Sequence, residues 1–118
     1  MNALKPEQII EGVDVTDTAS CEKMAQAVGE PLDVVINNAG YFYEPVEKVT
    51  DGSMAFDEEM KMIDICAVGP LRVSYALYRA RKIPKGSKIA MVTSQGGSVT
   101  WREVQNPSGG DYGHHMSK

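Results

Sequence analysis

Apolar residues along the chain fall into short continuous runs that alternate with longer stripes of helical spacing. Ile9 to Val15 reads as a first strand, and Asp17 is placed to cap a helix over about residues 19–28. Met24, Ala25 and Val28 share one face of that helix, which Gly29 and Pro31 stop. Leu32 to Asn37 is a β-branched run, apolar on both faces, the pattern of a strand buried within a parallel sheet. After a loop rich in aromatic and acidic residues, a long helix is predicted over about residues 57–81. Met60, Ile63, Ala67, Leu71 and Ser74 lie near one stripe of it. Gly69-Pro70 predicts a kink inside this helix, because proline lacks a backbone donor and crowds the preceding turn. Lys88 to Ser94 is the third strand, residues 95–111 form a glycine-rich loop, and a final helix starts near residue 112. Strands alternating with helices define an open α/β sheet.

Length and charge narrow the picture. The 118 residues are expected to form a single domain, 1–118, with a modest core from 42% hydrophobic content. Lys and Arg number 12 against 16 Asp and Glu, a net charge of −4 that argues against a nucleic-acid partner. Cys21 and Cys66 have no companions at metal or redox spacing and read as free thiols. The first residues hold no apolar signal-peptide core, and no apolar stretch approaches the roughly 18 residues of a membrane span. A soluble, cytoplasmic protein without a membrane partner is expected.

In open α/β sheets ligands bind beyond the carboxyl ends of the strands. Those ends carry Asp14, Thr16 and Asp17, then Asn37 to Gly40, then Thr93 and Ser94. Singly, each is what capping and turn chemistry also selects. Their serial order, with Asn37-Asn38-Ala39-Gly40 as the most specific string, resembles the short-chain dehydrogenase/reductase family. Val68-Gly69-Pro70-Leu71-Arg72-Val73 and His115-Met116-Ser117-Lys118 resemble its C-factor and sniffer-like carbonyl reductase branch. The resemblance spans about residues 9–118 and covers the middle of such an enzyme.

It implies part of a Rossmann-type, doubly wound parallel sheet and an NAD- or NADP-dependent oxidoreductase acting on a small carbonyl or alcohol. By that resemblance Asp14 accepts from the adenine amino group and Val15 lies against the ring. Asn38, Ala39 and Gly40 line the adenosine side, where small residues permit close backbone approach. Asn37 is structural, knitting neighbouring strands. Ser94 orients the substrate carbonyl, and Lys118 holds nicotinamide ribose hydroxyls and lowers the pKa of the neighbouring acid.

Three departures stand beside these matches. His114 occupies the place of the family's proton-donating tyrosine, one helical turn before Lys118. Tyr112, six residues from Lys118, is turned by about 600° and falls on another face unless the helix starts irregularly. Cys66 stands where the family has a relay asparagine, but its favoured reading is a small buried hydrophobe on a core-facing stripe. No Thr-Gly-x-x-x-Gly-x-Gly follows a first strand, and the first βαβ unit and the C-terminal strands of the fold have no counterpart. In the usual strand order the strands at 9–15 and 32–37 would then stand about 14 Å apart, so only those at 32–37 and 88–94 can pair. The chain therefore reads as a fragment, inactive alone. The alternative is a non-catalytic paralogue acting as a dimerisation or interaction module, homo- or hetero-oligomeric, through helix 57–81.

Other groupings have plainer readings. His114 and His115 point about 100° apart on a helix and do not chelate one metal, so no metal is expected. Tyr78 to Lys82 repeats the Tyr-x-x-x-Lys spacing late in the long helix and is assigned to its surface. Trp101, Arg102 and Asn106 lie either on a substrate-side loop or on a surface turn. The cations from Arg79 to Lys88 complement a helix C-terminus.

Overall fold

In the computed structural model, which describes residues 5–45, 47–105 and 107–118, the sheet consists of two parallel strands. These are β1 (Val34–Asn37) and β2 (Lys88–Met91), with Val34 paired to Lys88 and Asn37 to Met91. Their β-branched residues suit a pleated backbone. Val35 and Asn37 turn inward and are buried, whereas Val34 and Ile36 are exposed. The run that reads as covered on both faces is thus covered on one among the described residues. The Asn37 amide donates to Ser74 Oγ and Met91 Sδ, each at 3.3 Å, and so ties β1 to β2 and to the long helix.

Residues 9–15 do not form the expected strand. A strand needs a ladder neighbour, and none of the described residues supplies one. Groups at the two ends of this segment bond to the first helix instead. Gln8 donates to the Ala27 carbonyl at 2.7 Å, and the Asp14 N–H donates to Ser20 Oγ at 2.9 Å. That helix, α1 (Thr18–Ala27), begins where the Asp17 carboxylate accepts from the N–H groups of Ala19 and Ser20.

The long helix runs in three pieces: α2 (Phe56–Ile63), a π turn (Asp64–Val68) and α3 (Gly69–Arg79). Pro70 cannot donate to the Cys66 carbonyl and its ring crowds that group. The widened turn just before it accommodates both effects, the Gly69 N–H reaching back five residues to the Asp64 carbonyl. Of the predicted stripe, Met60, Ala67 and Leu71 face outward, whereas Ser74 reaches the Asn37 amide. The inward stripe is Glu59, Met62, Cys66, Gly69, Ala76 and Leu77. Cys21, Ala25, Val35, Ala76 and Leu77 form the main core, with Met24, Val28, Leu32 and Val73 against it. Both cysteines are free and buried.

After β2, a 3-10 turn (Gln95–Gly97) leads to α4 (Val99–Gln105) and then to α5 (Tyr112–Met116). The expected loop over 95–111 therefore contains a short helix, on which Val99, Trp101 and Val104 are exposed. Asn106 lies outside the described residues. Among the described residues no helix is long and apolar enough to cross a membrane.

Leu77, 2% exposed at the centre of the core, has neighbours on α1 and β1 that cannot collapse fully around a void. Leu77→Ala is expected to cost about 2–5 kcal/mol, read as a lower urea midpoint with an unchanged slope.

Candidate active site

Two clefts hold candidate residues. The first, about 420 Å³, is lined by Phe42, Ser94, Gln95, Gly96, His114 and His115, with Asp111 at its rim. Ser94 caps the 3-10 turn, its Oγ accepting from the Gly96 N–H at 2.9 Å. His114 comes from α5 and places Nε2 3.2 Å from the same Oγ. The imidazole is half-buried: Phe42 meets it edge-on at 5.2 Å between centroids, and Nδ1 is buried without a hydrogen-bond partner among the described residues. Burial, the Lys118 ammonium and His115 hold the His114 pKa below the ordinary 6.5, so the ring is neutral at pH 7.

Glycines make this approach possible. A Cβ on Gly97 would lie 2.8 Å from the Lys118 carbonyl group, and one on Gly96 would lie 3.0 Å from His115 Nδ1. His115 Nδ1 lies 2.6 Å from the Gly96 carbonyl, which can only accept, so this nitrogen carries the proton. Thr93 Oγ1 donates to the Lys118 carbonyl at 3.1 Å. The strand end after β2 and the end of α5 are thus stitched together along four residues. Tyr112 is not in this cleft; its hydroxyl lies near Gly109.

Cys66 is buried in the π turn, as its core-stripe reading requires, and its thiol is also used. Sγ accepts from the Tyr41 N–H at 3.3 Å and faces the Tyr41 carbonyl at 3.4 Å. It therefore fixes the chain just after the exposed Asn38, Ala39 and Gly40 rather than entering the Ser94 cleft. Tyr41 in turn donates to Glu58 at 2.6 Å and lies under the Lys61 ammonium.

The second cleft, about 540 Å³, brings Asp14 and Thr16 against Met60, Asp64, Ile65 and Val68. Asp14 Oδ1 accepts from the Thr16 hydroxyl at 2.7 Å and N–H at 2.8 Å. Those two bonds hold its carboxyl below the usual carboxylate range. Val15 packs against Gly69, and its carbonyl accepts from Arg72 Nη1 at 3.0 Å while Arg72 Nη2 reaches Asp64 Oδ1 at 2.6 Å. Sequence reasoning missed Arg72, Phe42, His115 and the buried Glu59 as parts of the site. Only the proximity of Arg72 and Asp64 on one helix, eight residues apart, left a trace. Among the described residues no group of three or more His, Cys, Asp or Glu is arranged to hold a metal.

A family model described as short chain dehydrogenase matches residues 1–108. The chain belongs to the short-chain dehydrogenase family. The C-signal protein of Myxococcus xanthus is 34% identical over 90 residues, which are 75% of this chain and 49% of that protein. An NADPH-bound carbonyl reductase from chicken fatty liver superposes with a TM-score of 0.73 at 21% identity, over 93% of this chain and 46% of that one. A short-chain dehydrogenase/reductase from Serratia marcescens does so with a TM-score of 0.67 at 24% identity, over 89% and 44%. The resemblance read from the residues and the α/β fold class are borne out. The chain spans about half the length of the relatives it matches.

Arg72 bridges the Asp14–Thr16 segment to the helix by charge-assisted bonds. Arg72→Ala is expected to cost about 1–2 kcal/mol and to speed hydrogen exchange at the Thr16 N–H, with Arg72→Lys recovering less than half because it cannot fork.

Proposed function

We propose that the chain serves a short-chain oxidoreductase that interconverts a small carbonyl and its alcohol with NAD or NADP. Ser94 and His114 are the groups that touch the reacting oxygen. The observation that carries this reading is the 3.2 Å contact between Ser94 Oγ and His114 Nε2 at the carboxyl end of β2. The family fold puts its ligands at that sheet edge. The dinucleotide, when bound, supplies or takes the hydride. Ser94 donates a hydrogen bond to the carbonyl oxygen as negative charge grows there. His114 then gives a proton from Nε2 to that oxygen, or removes it in the reverse direction. Lys118 acts on His114 through its charge.

The residues present fit the adenosine end of the cofactor. Asp14 is held ionised and oriented by Thr16, and Asn38, Ala39 and Gly40 are exposed at the carboxyl end of β1. The 118 residues contain no glycine-rich pyrophosphate loop. We infer that hydride transfer by this polypeptide alone is slow or absent, so activity tests belong in a chain that carries the loop.

In such a chain, carbonyl reduction needs the imidazolium form of His114. Its lowered pKa confines that form to the acid side of 6.5, so kcat/KM for reduction is expected to fall about tenfold per pH unit above that value. His114→Tyr, which restores a phenol, is expected to abolish the fall up to about pH 9 and to raise reduction at neutral pH at least about tenfold. A pH profile of NADPH oxidation with a carbonyl panel checks both. A flat profile with the native His114 overturns its role.

A second reading, an interaction module, is favoured by one observation. Phe56, Met60, Leu71, Tyr75 and Tyr78 are all exposed along the outer face of α2 and α3, the kind of patch that marks a protein contact. Leu71→Asp combined with Tyr78→Asp is expected to convert an oligomer to monomer in sedimentation velocity. A native chain that is already monomeric at high concentration sinks this reading.

A further inference from the structure

We propose that Glu59 is a positioning residue for the Ser94–His114 contact: its protonated carboxyl, buried between Glu47 and Gly113, holds α5 on α2. The inference goes beyond the hydride-transfer reading and does not rest on it, since it concerns only how α5 is held.

Glu59 and Glu47 are each 3% exposed. Two acidic side chains so deeply enclosed are unusual unless paired or neutral. Glu47 Oε1 accepts from the Ala55 N–H at the head of α2. Both carboxyl oxygens of Glu59 are sealed from solvent, and neither completes a hydrogen bond of ordinary geometry among the described residues. α5 lies directly on the group: a Cβ at Gly113 would stand 2.5 Å from Glu59 Oε2 and 2.9 Å from its Cα. Glycine is therefore what lets the helix bearing His114 come this close, and the surface it meets is a carboxyl.

The charges around Glu59 all bear on its state. Glu47 from the loop after β1 and Asp111 at the head of α5 are acidic, and only the Gly113 N–H favours the anion. His114 and His115 on α5 direct ring nitrogens to Ser94 and Gly96. On α2 itself, Glu58 and Lys61 pair with each other and with Tyr41. Among the described residues no cation is one of the groups acting on Glu59. Burial first, then Glu47, pushes its carboxyl up from 4.5 to about 7. The docked carboxyl thus binds its proton more tightly than the same group released to water. Its contribution to docking is complete on the acid side of the ordinary value and is lost as pH rises through about 7. At higher pH the proton passes to solvent, and an unpaired carboxylate remains beside Glu47 and Asp111 under α5.

Amide hydrogen exchange, corrected for intrinsic rates, tests this on the full chain. The reporters are the α5 amides of His115 and Ser117, which bond to Asp111 and Gly113, with the Cys21 amide of α1 as control. Protection in α5 is expected to be about tenfold lower near pH 8 than near pH 6, with Cys21 unchanged. Glu59→Gln, permanently neutral and of the same shape, is expected to keep α5 protected at both. Equal α5 protection at the two pH values in the native chain overturns the proposal. So does a parallel fall at Cys21, which marks global unfolding, or a Glu59→Gln chain that loses protection as the native one does. Should that variant fail to fold, the native comparison alone decides.

Discussion

A proline in the middle of a 24-residue helical segment, residues 56–79, is the constraint from which the site is arranged. Pro70 removes one backbone donor, and the turn before it widens to take up the mismatch. That π turn then becomes a hub. Cys66 presents its thiol to the Tyr41 backbone just past Asn38–Gly40, Asp64 engages Arg72, and Gly69 meets Val15. The two loops that carry the candidate cofactor contacts are thus attached to one interruption in one helix. Side chains at the irregular turn are committed to neighbouring segments, Cys66 to Tyr41 and Asp64, through Arg72, to Val15.

The segments flanking the π turn pack on different partners. α3 lies against α1 and β1, where Ala76 and Leu77 close the main core. α2 lies against α5, and there the contact is mixed: Met62 is fully buried, but Glu59 is beside it. An apolar contact is insensitive to pH, whereas a buried carboxyl couples packing to protonation. The main core and the platform under α5 therefore respond differently to solution conditions although one helix runs through both.

The legible parts of the sequence were those decided locally. The parallel strands and the Asp17 cap follow from apolar runs and capping chemistry within a few residues. Residues 9–15 have the same local character as β1, yet form no strand, because a strand exists only by virtue of its neighbour. The long helix was ambiguous for another reason. It is apolar on two faces, through Met60 and Leu71 and through Met62 and Leu77, and periodicity cannot say which of two stripes turns inward. Ser94, His114 and Lys118 were legible as a set through family resemblance, and the fold brings them to one strand end. Glu47 and Glu59 were not. In the sequence they are two acids among many, and only burial distinguishes them.

The Ser94–His114 contact spans these two packing units. Ser94 is anchored to β2 and through it to the main core; His114 is anchored to α5 and through it to α2. Its 3.2 Å separation therefore reports the relation between the units, not the stiffness of either residue. Three links fix that relation: the continuous helix with its π turn, the Thr93–Lys118 bond, and the glycine-permitted approach of residues 96 and 97 to α5. The first sets the coarse geometry and the other two set the register, since a side chain at either glycine would push the strand end away from the imidazole. A cleft assembled across a joint in this way is more adjustable than one built within a single core, because small shifts of α5 move His114 without disturbing Leu77 or Val35.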